Sequence, residues 1–194
     1  IDPSDIIKTL ENKNNFLSNY SKMIALFRVG KYDLAHNKLS LIKNEYEEYP
    51  FFYELKGDIY FKEGNFSNAI IEYEKAIKSL QEIFTPSIDL MKFSLIKTYL
   101  QTSNITDLNK SIILLEELLL NNPNWSYLWR LLAKASGKLN KKGVAYIALA
   151  EEALIKKNFI KAKKYVDLAN KQDSLPLSYK IRGSDILARI KFEN

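Results

Sequence analysis

The sequence predicts an all-α fold: a right-handed solenoid of antiparallel helix pairs, closed by a C-terminal capping helix. Three observations predict it. Along "YELKGDIYFKEGNFSNAIIEYEKAI" (residues 53–77) small and aromatic residues recur at spacings of three and four, so they share a helix face. Gly64-Asn65 interrupts that periodicity, as a helix end followed by a new start does. The pattern returns upstream after 34 residues, with Gly30, Tyr32 and Ala35 standing where Gly64, Phe66 and Ala69 stand.

The elements follow in order. Residues 1–14 carry "IDPSDIIKTL" and read as a linker from a preceding domain, since the chain opens on Ile1-Asp2-Pro3 without Met or a leader-like apolar run. Repeats cover 15–171. The first, about 15–50, holds "YSKMIALFRVGKYDLAHNKLSLI". In the second, about 51–85, Gly57, Ala69 and Ala76 let two backbones approach while Tyr60, Phe66 and Tyr73 fill the space beside them. The third, about 86–123, repeats the logic with Tyr99, Leu108, Ser111, Leu115 and Leu118, and its turn is expected about three residues longer. The fourth, about 124–157, begins with Trp129, Leu132 and Ala133 at the ring, leucine and small positions. A fifth, 144–171, shares a helix with it through Tyr146, Leu149 and Ala150, then Phe159, Ala162, Val166 and Ala169. Residues 172–194 form the cap, with Leu177, Ile181, Ile186 and Leu187 apolar and Lys180, Arg182 and Lys191 polar.

Composition narrows the chemistry. No apolar run approaches the roughly 20 residues of a membrane span, so membrane insertion is not expected. The net charge is +6, but only Arg28, Arg130, Arg182 and Arg189 are arginine. A lysine excess spread along helices suits a solvated surface better than phosphate recognition, and nucleic acid is not an expected partner. With no cysteine and one histidine, no zinc pair or thiolate site can be assembled. His36 reads as a packing histidine on a second helix.

Adjacent carboxylates at Glu47-Glu48, Glu116-Glu117 and Glu151-Glu152 point about 100° apart on a helix and read as solvated faces. The glycines form no phosphate-binding loop. No catalytic residue, cofactor or metal is expected in this chain, which reads as non-catalytic.

Ring or small residues in first helices, glycine at the turn, aromatic-x-x-alanine opening second helices, and Pro50 and Pro123 after them resemble the tetratricopeptide repeat. That resemblance implies a concave groove lined by the first helix of each pair. On this chain it implies Tyr20, Phe27 and Arg28, then Glu54, Asp58, Phe61 and Lys62, then Phe93, Lys97 and Gln101, then Tyr127, Arg130 and Lys134. Rings with both charge signs suit a protein or extended peptide partner. Phe27 and Phe93 alternatively pack against neighbouring helices. The lysine and asparagines of a carboxylate clamp are not in place.

Three stretches resemble a narrower family. "YPFFYELKGDIYFKEGNFSNAIIEYEKAI", "NPNWSYLWRLLAKASGKLNKKGVAYIALAEEAL" and the opening "IDPSDIIKTL" are similar to the C-terminal repeat domain of BepA-like bacterial periplasmic zinc metallopeptidases, in which an HExxH domain precedes the repeats. The resemblance implies a periplasmic location and a role in outer-membrane protein quality control. It implies partners among outer-membrane proteins or their assembly machinery, the protease domain in cis, and zinc only in that missing domain. A free-standing adaptor or secretion chaperone built on the same repeat is the alternative.

Overall fold

The computed structural model describes residues 2–39, 49–80 and 87–193. Among them are eleven helices and no strand, packed as antiparallel pairs of the solenoid kind. The chain divides into two compact units, residues 1–101 and 102–194.

In the first unit, α1 (Pro3–Thr9) begins where the Asp2 side chain accepts the Ser4 N–H at 2.8 Å, with Pro3 in the first turn. Much of what the sequence set apart as a linker is thus helical and packed on α2 (Phe16–Arg28). That cap chemistry is the physical reason. The connection from α1 to α2 is tied down by Lys22, which is 4% exposed and donates to the carbonyls of Glu11 at 3.3 Å and Lys13 at 2.6 Å.

Three residues separate α2 from α3 (Tyr32–Leu39), and three separate α4 (Pro50–Lys62) from α5 (Phe66–Leu80). Met23, Leu26, Ala35, Phe52, Leu55 and Ile59 form the core that these first helices share. Between α4 and α5 the Tyr73 ring lies so close over the α4 backbone that a Cβ on Gly57 would stand 2.7 Å from it. Glycine is required there by space alone. The last helix, α6 (Ser87–Thr102), is linked to α5 by the Tyr99 hydroxyl, which donates to Glu74 at 2.6 Å.

The second unit holds α7 (Ile105–Asn121), α8 (Ser126–Lys138), α9 (Lys142–Ile155), α10 (Phe159–Asn170) and α11 (Leu177–Glu193). The turn before α7 is not longer than the others, because α6 ends at Thr102 and Asn104 already caps α7 by accepting the Thr106 N–H. The extra length lies in α6, 16 residues against 13 in α4. Ser111 fits a fully buried alanine position because its hydroxyl donates back to the Leu108 carbonyl at 2.7 Å.

Helix α9 packs against α8, α10 and α11 and is buried on nearly every side. It serves two hairpins. Trp129 of α8 is 3% exposed, and its indole N–H donates to the Pro123 carbonyl at 2.8 Å.

The cap differs from its sequence reading. In α11 the inward stripe runs through the half-buried Tyr179 and the buried Gly183, Ile186 and Ile190, while Leu177 and Ile181 face solvent at 71% and 55%. A Cβ on Gly183 would reach Ile147 at 3.1 Å, so the helix is rotated to bring its smallest residue against α9. Arg182, expected among the polar outer positions, turns inward. Its guanidinium lies 4.9 Å from the Trp129 ring and donates to Glu151 at 2.9 Å.

Candidate functional site

Four of the predicted groove residues meet in the first unit. Asp58, Phe61, Lys62 and Lys97 line one hollow of about 90 Å³ together with Tyr73 and Ser94. The spacing of four between Asp58 and Lys62 puts both on one face of α4, and α6 brings Lys97 to the same place. Asp58 accepts the Tyr73 hydroxyl at 2.6 Å. Burial pushes its carboxyl above the ordinary aspartate range, against the lowering influence of that hydroxyl, Lys97 and Lys62.

Glu54, one turn earlier, is half-buried and is likewise pushed up by burial and by Asp58. It faces Tyr20, whose phenol is raised by burial and by Glu54. Tyr20 stacks on Phe16 at 5.8 Å and lies 6.3 Å from Phe52. The face therefore alternates rings and half-buried charges. Such a surface can hold an extended chain by ring contact and orient it by charge.

The other predicted residues of this unit are placed differently. Phe27 rests on Tyr32 at 5.5 Å, so the packing alternative describes it. Phe93 is half-buried beneath the Lys97 ammonium at 5.0 Å, within reach of the hollow without lining it. Arg28 and Gln101 are exposed. His36 packs edge-on against Tyr60 at 5.2 Å, and its Nδ1 meets the Glu63 carboxylate at 2.9 Å, which joins α3 to the end of α4.

In the second unit Tyr127, Arg130 and Lys134 are exposed on α8. Arg130 is committed. Its Nε and Nη2 donate to one oxygen of Glu152 at 2.9 and 2.5 Å, and Lys156 donates to the same oxygen at 2.5 Å. Burial alone would raise the Glu152 carboxyl, but the hydrogen bonds and charges of Arg130 and Lys156 hold it below the usual glutamate range.

The carboxylate pairs divide between core and surface. Glu151 and Glu152 are 6% and 7% exposed, not solvated, because α9 is enclosed by neighbours on both of the sides they point to. Each found its own cation, Arg182 for Glu151 and Arg130 with Lys156 for Glu152. Glu116 and Glu117 are exposed, Glu116 accepting the Tyr179 hydroxyl. Glu47 and Glu48 lie outside the described residues.

Sequence reasoning missed Tyr73 and Ser94 as lining residues, and it missed Glu152, Lys156, Lys161 and Tyr165, which surround a second hollow with Arg130. One signal was present: Glu152 and Lys156 stand four apart in the favourable order. Among the described residues no group of three or more His, Cys, Asp or Glu could hold a metal ion, and no helix is long and apolar enough to cross a membrane.

With this geometry in place, comparison with known families gives a match to the tetratricopeptide repeat over residues 52–79. That segment runs from the third residue of α4 to the penultimate residue of α5. No curated protein matches the chain significantly.

Proposed function

We propose that this chain is a non-catalytic protein-binding module. Its partners are extended protein segments held along first-helix faces: Tyr20, Glu54, Asp58, Phe61, Lys62, Phe93 and Lys97 offer one such face within the first unit, and Tyr127, Arg130 and Lys134 another within the second. The single observation that carries this reading is the tetratricopeptide match on α4–α5, the hairpin that supplies most of the first hollow. Repeats of this kind are packing frames, and function is carried by the side chains the frame leaves exposed.

We further propose that the module is the C-terminal part of a periplasmic zinc metallopeptidase acting in outer-membrane protein quality control, with zinc held by the parent's HExxH domain. The resemblance of its three sequence stretches to that family supports this. The test joins the chain to its parent: full-length protein and residues 1–194 are assayed separately for casein cleavage, with and without a zinc chelator. The expected result is chelator-sensitive cleavage by the parent alone. Cleavage by neither would point to the free-standing adaptor or secretion chaperone. Cleavage by residues 1–194 would overturn the non-catalytic reading.

A further inference from the structure

Charge is divided unevenly along the chain. Of its 29 Lys and Arg, 16 fall in residues 102–194, against 9 of its 23 Asp and Glu; residues 1–101 carry the remaining 13 and 14. The basic excess thus belongs to the second unit, where it has a focus. Arg130 of α8, Lys156 just past the end of α9, and Lys161 and Tyr165 of α10 surround a hollow of about 190 Å³. Glu152 is the one carboxylate among its lining residues.

That carboxylate acts as an organiser. By taking Arg130 and Lys156 on a single oxygen it fixes two long cationic side chains that would otherwise be free to rotate. It neutralises one charge of three. Lys161 has no carboxylate partner among the described residues, and its ammonium lies 5.8 Å over the Tyr165 ring. A net excess of positive charge is therefore held over a concavity on the packed helices α8, α9 and α10, which is what recognition of an anion needs.

Resting on the partner-binding reading above, we infer that this hollow takes a carboxylate side chain of an acidic peptide segment, gripped by Arg130, Lys156 and Lys161. A peptide fits the geometry better than nucleic acid for two reasons. The hollow of about 190 Å³ gathers its three cations at one point, which suits a single carboxylate and not a continuous phosphate backbone. The Tyr146 and Tyr165 rings also stack on each other at 6.3 Å, so they do not stand open as a platform for bases.

The test is fluorescence anisotropy on the full chain with four fluorescein-labelled probes: a Glu-rich peptide, its Gln-for-Glu counterpart, a Lys-rich peptide and an oligothymidylate. The Glu-rich peptide binds best, with an affinity that falls as salt rises. Lys161→Glu weakens that binding about tenfold. Lys180→Glu, exposed on α11 outside the hollow, leaves it within about twofold. Arg130→Gln weakens it too and is checked by melting temperature, because it releases Glu152.

Equal losses for Lys161→Glu and Lys180→Glu would overturn the inference, since attraction would then be diffuse. So would equal binding of the Gln counterpart, tighter binding of the oligothymidylate, or no binding of the Glu-rich peptide. If the Lys-rich peptide binds instead, the acidic ligand is wrong while the partner-binding reading stands.

Discussion

The turn from α4 to α5 and the turn from α9 to α10 have the same backbone. In the first, Asn65 N–H bonds to the Tyr60 carbonyl and Gly64 N–H to that of Phe61; in the second, Asn158 bonds to Ala153 and Lys157 to Leu154. Both need a left-handed residue. The first unit supplies glycine at Gly30 and Gly64, with φ of 77° and 76°, whereas the second uses Ser103, Asn140 and Lys157 at 56° to 57°. One hairpin is thus built with two chemistries, and the difference extends to its charges. In the first unit burial raises Asp58; in the second, cations depress Glu152.

The shared part of this comparison breaks most severely at the large buried side chains. Phe52 and Trp129 are 1% and 3% exposed, and replacing either by alanine lowers unfolding free energy by about 3–5 kcal/mol. Denaturant melts of the two variants check this. A loss confined to one would mean that the halves are not packed alike. Next come Ala69→Leu and Ala162→Leu, both at 0% exposure on second helices, each expected to lose about 1–3 kcal/mol by forcing bulk between paired helices.

Acid separates the halves. Glu152 has a depressed folded value, so its contribution is fully present above about pH 4.3, the unfolded glutamate value, and is lost as pH falls through the folded one. Stability of wild type minus that of Glu152→Gln should therefore shrink on acidification. Asp58 is raised, so its ionised form opposes folding at neutral pH and the opposition disappears as pH falls. Asp58→Asn, which can still accept from Tyr73, should be more stable than wild type near pH 7 and lose that advantage towards pH 4. Two curves with the same sign would erase the distinction.

The smallest effects sharpen the turn comparison. Gly64→Ala should lose about 1 kcal/mol, and Lys157→Gly should gain up to about 1 kcal/mol, since only glycine holds the left-handed conformation without strain. Thermal melts resolve both.

The same contrast explains what could be read from the chain. The α4–α5 hairpin was legible because Gly64 marks its turn and Gly57 its closest approach, and family comparison finds a match there. At Asn140 and Lys157 the identical backbone carries residues that do not announce it, so only the apolar spacing was left to follow. In the candidate site, Asp58, Lys62 and Lys97 could be foreseen from first-helix positions. Glu152 could not, because its burial comes from α9 having neighbours on several sides, and hydropathy assigns a glutamate to solvent. The rotation of α11 turned on Gly183 meeting Ile147, a three-dimensional fit with no signature in spacing.

Binding through the Arg130–Lys156–Lys161 hollow, the proposed polar contact of the chain, is open to a direct measurement. A ¹⁵N–¹H spectrum of residues 1–194, titrated with the Glu-rich peptide, tests it most directly. Saturable shifts of the Arg130 Nε–H and of the Lys156, Lys161 and Tyr165 amides are the predicted result. No saturable shift at those four residues, or small changes spread over every exposed lysine, would contradict it.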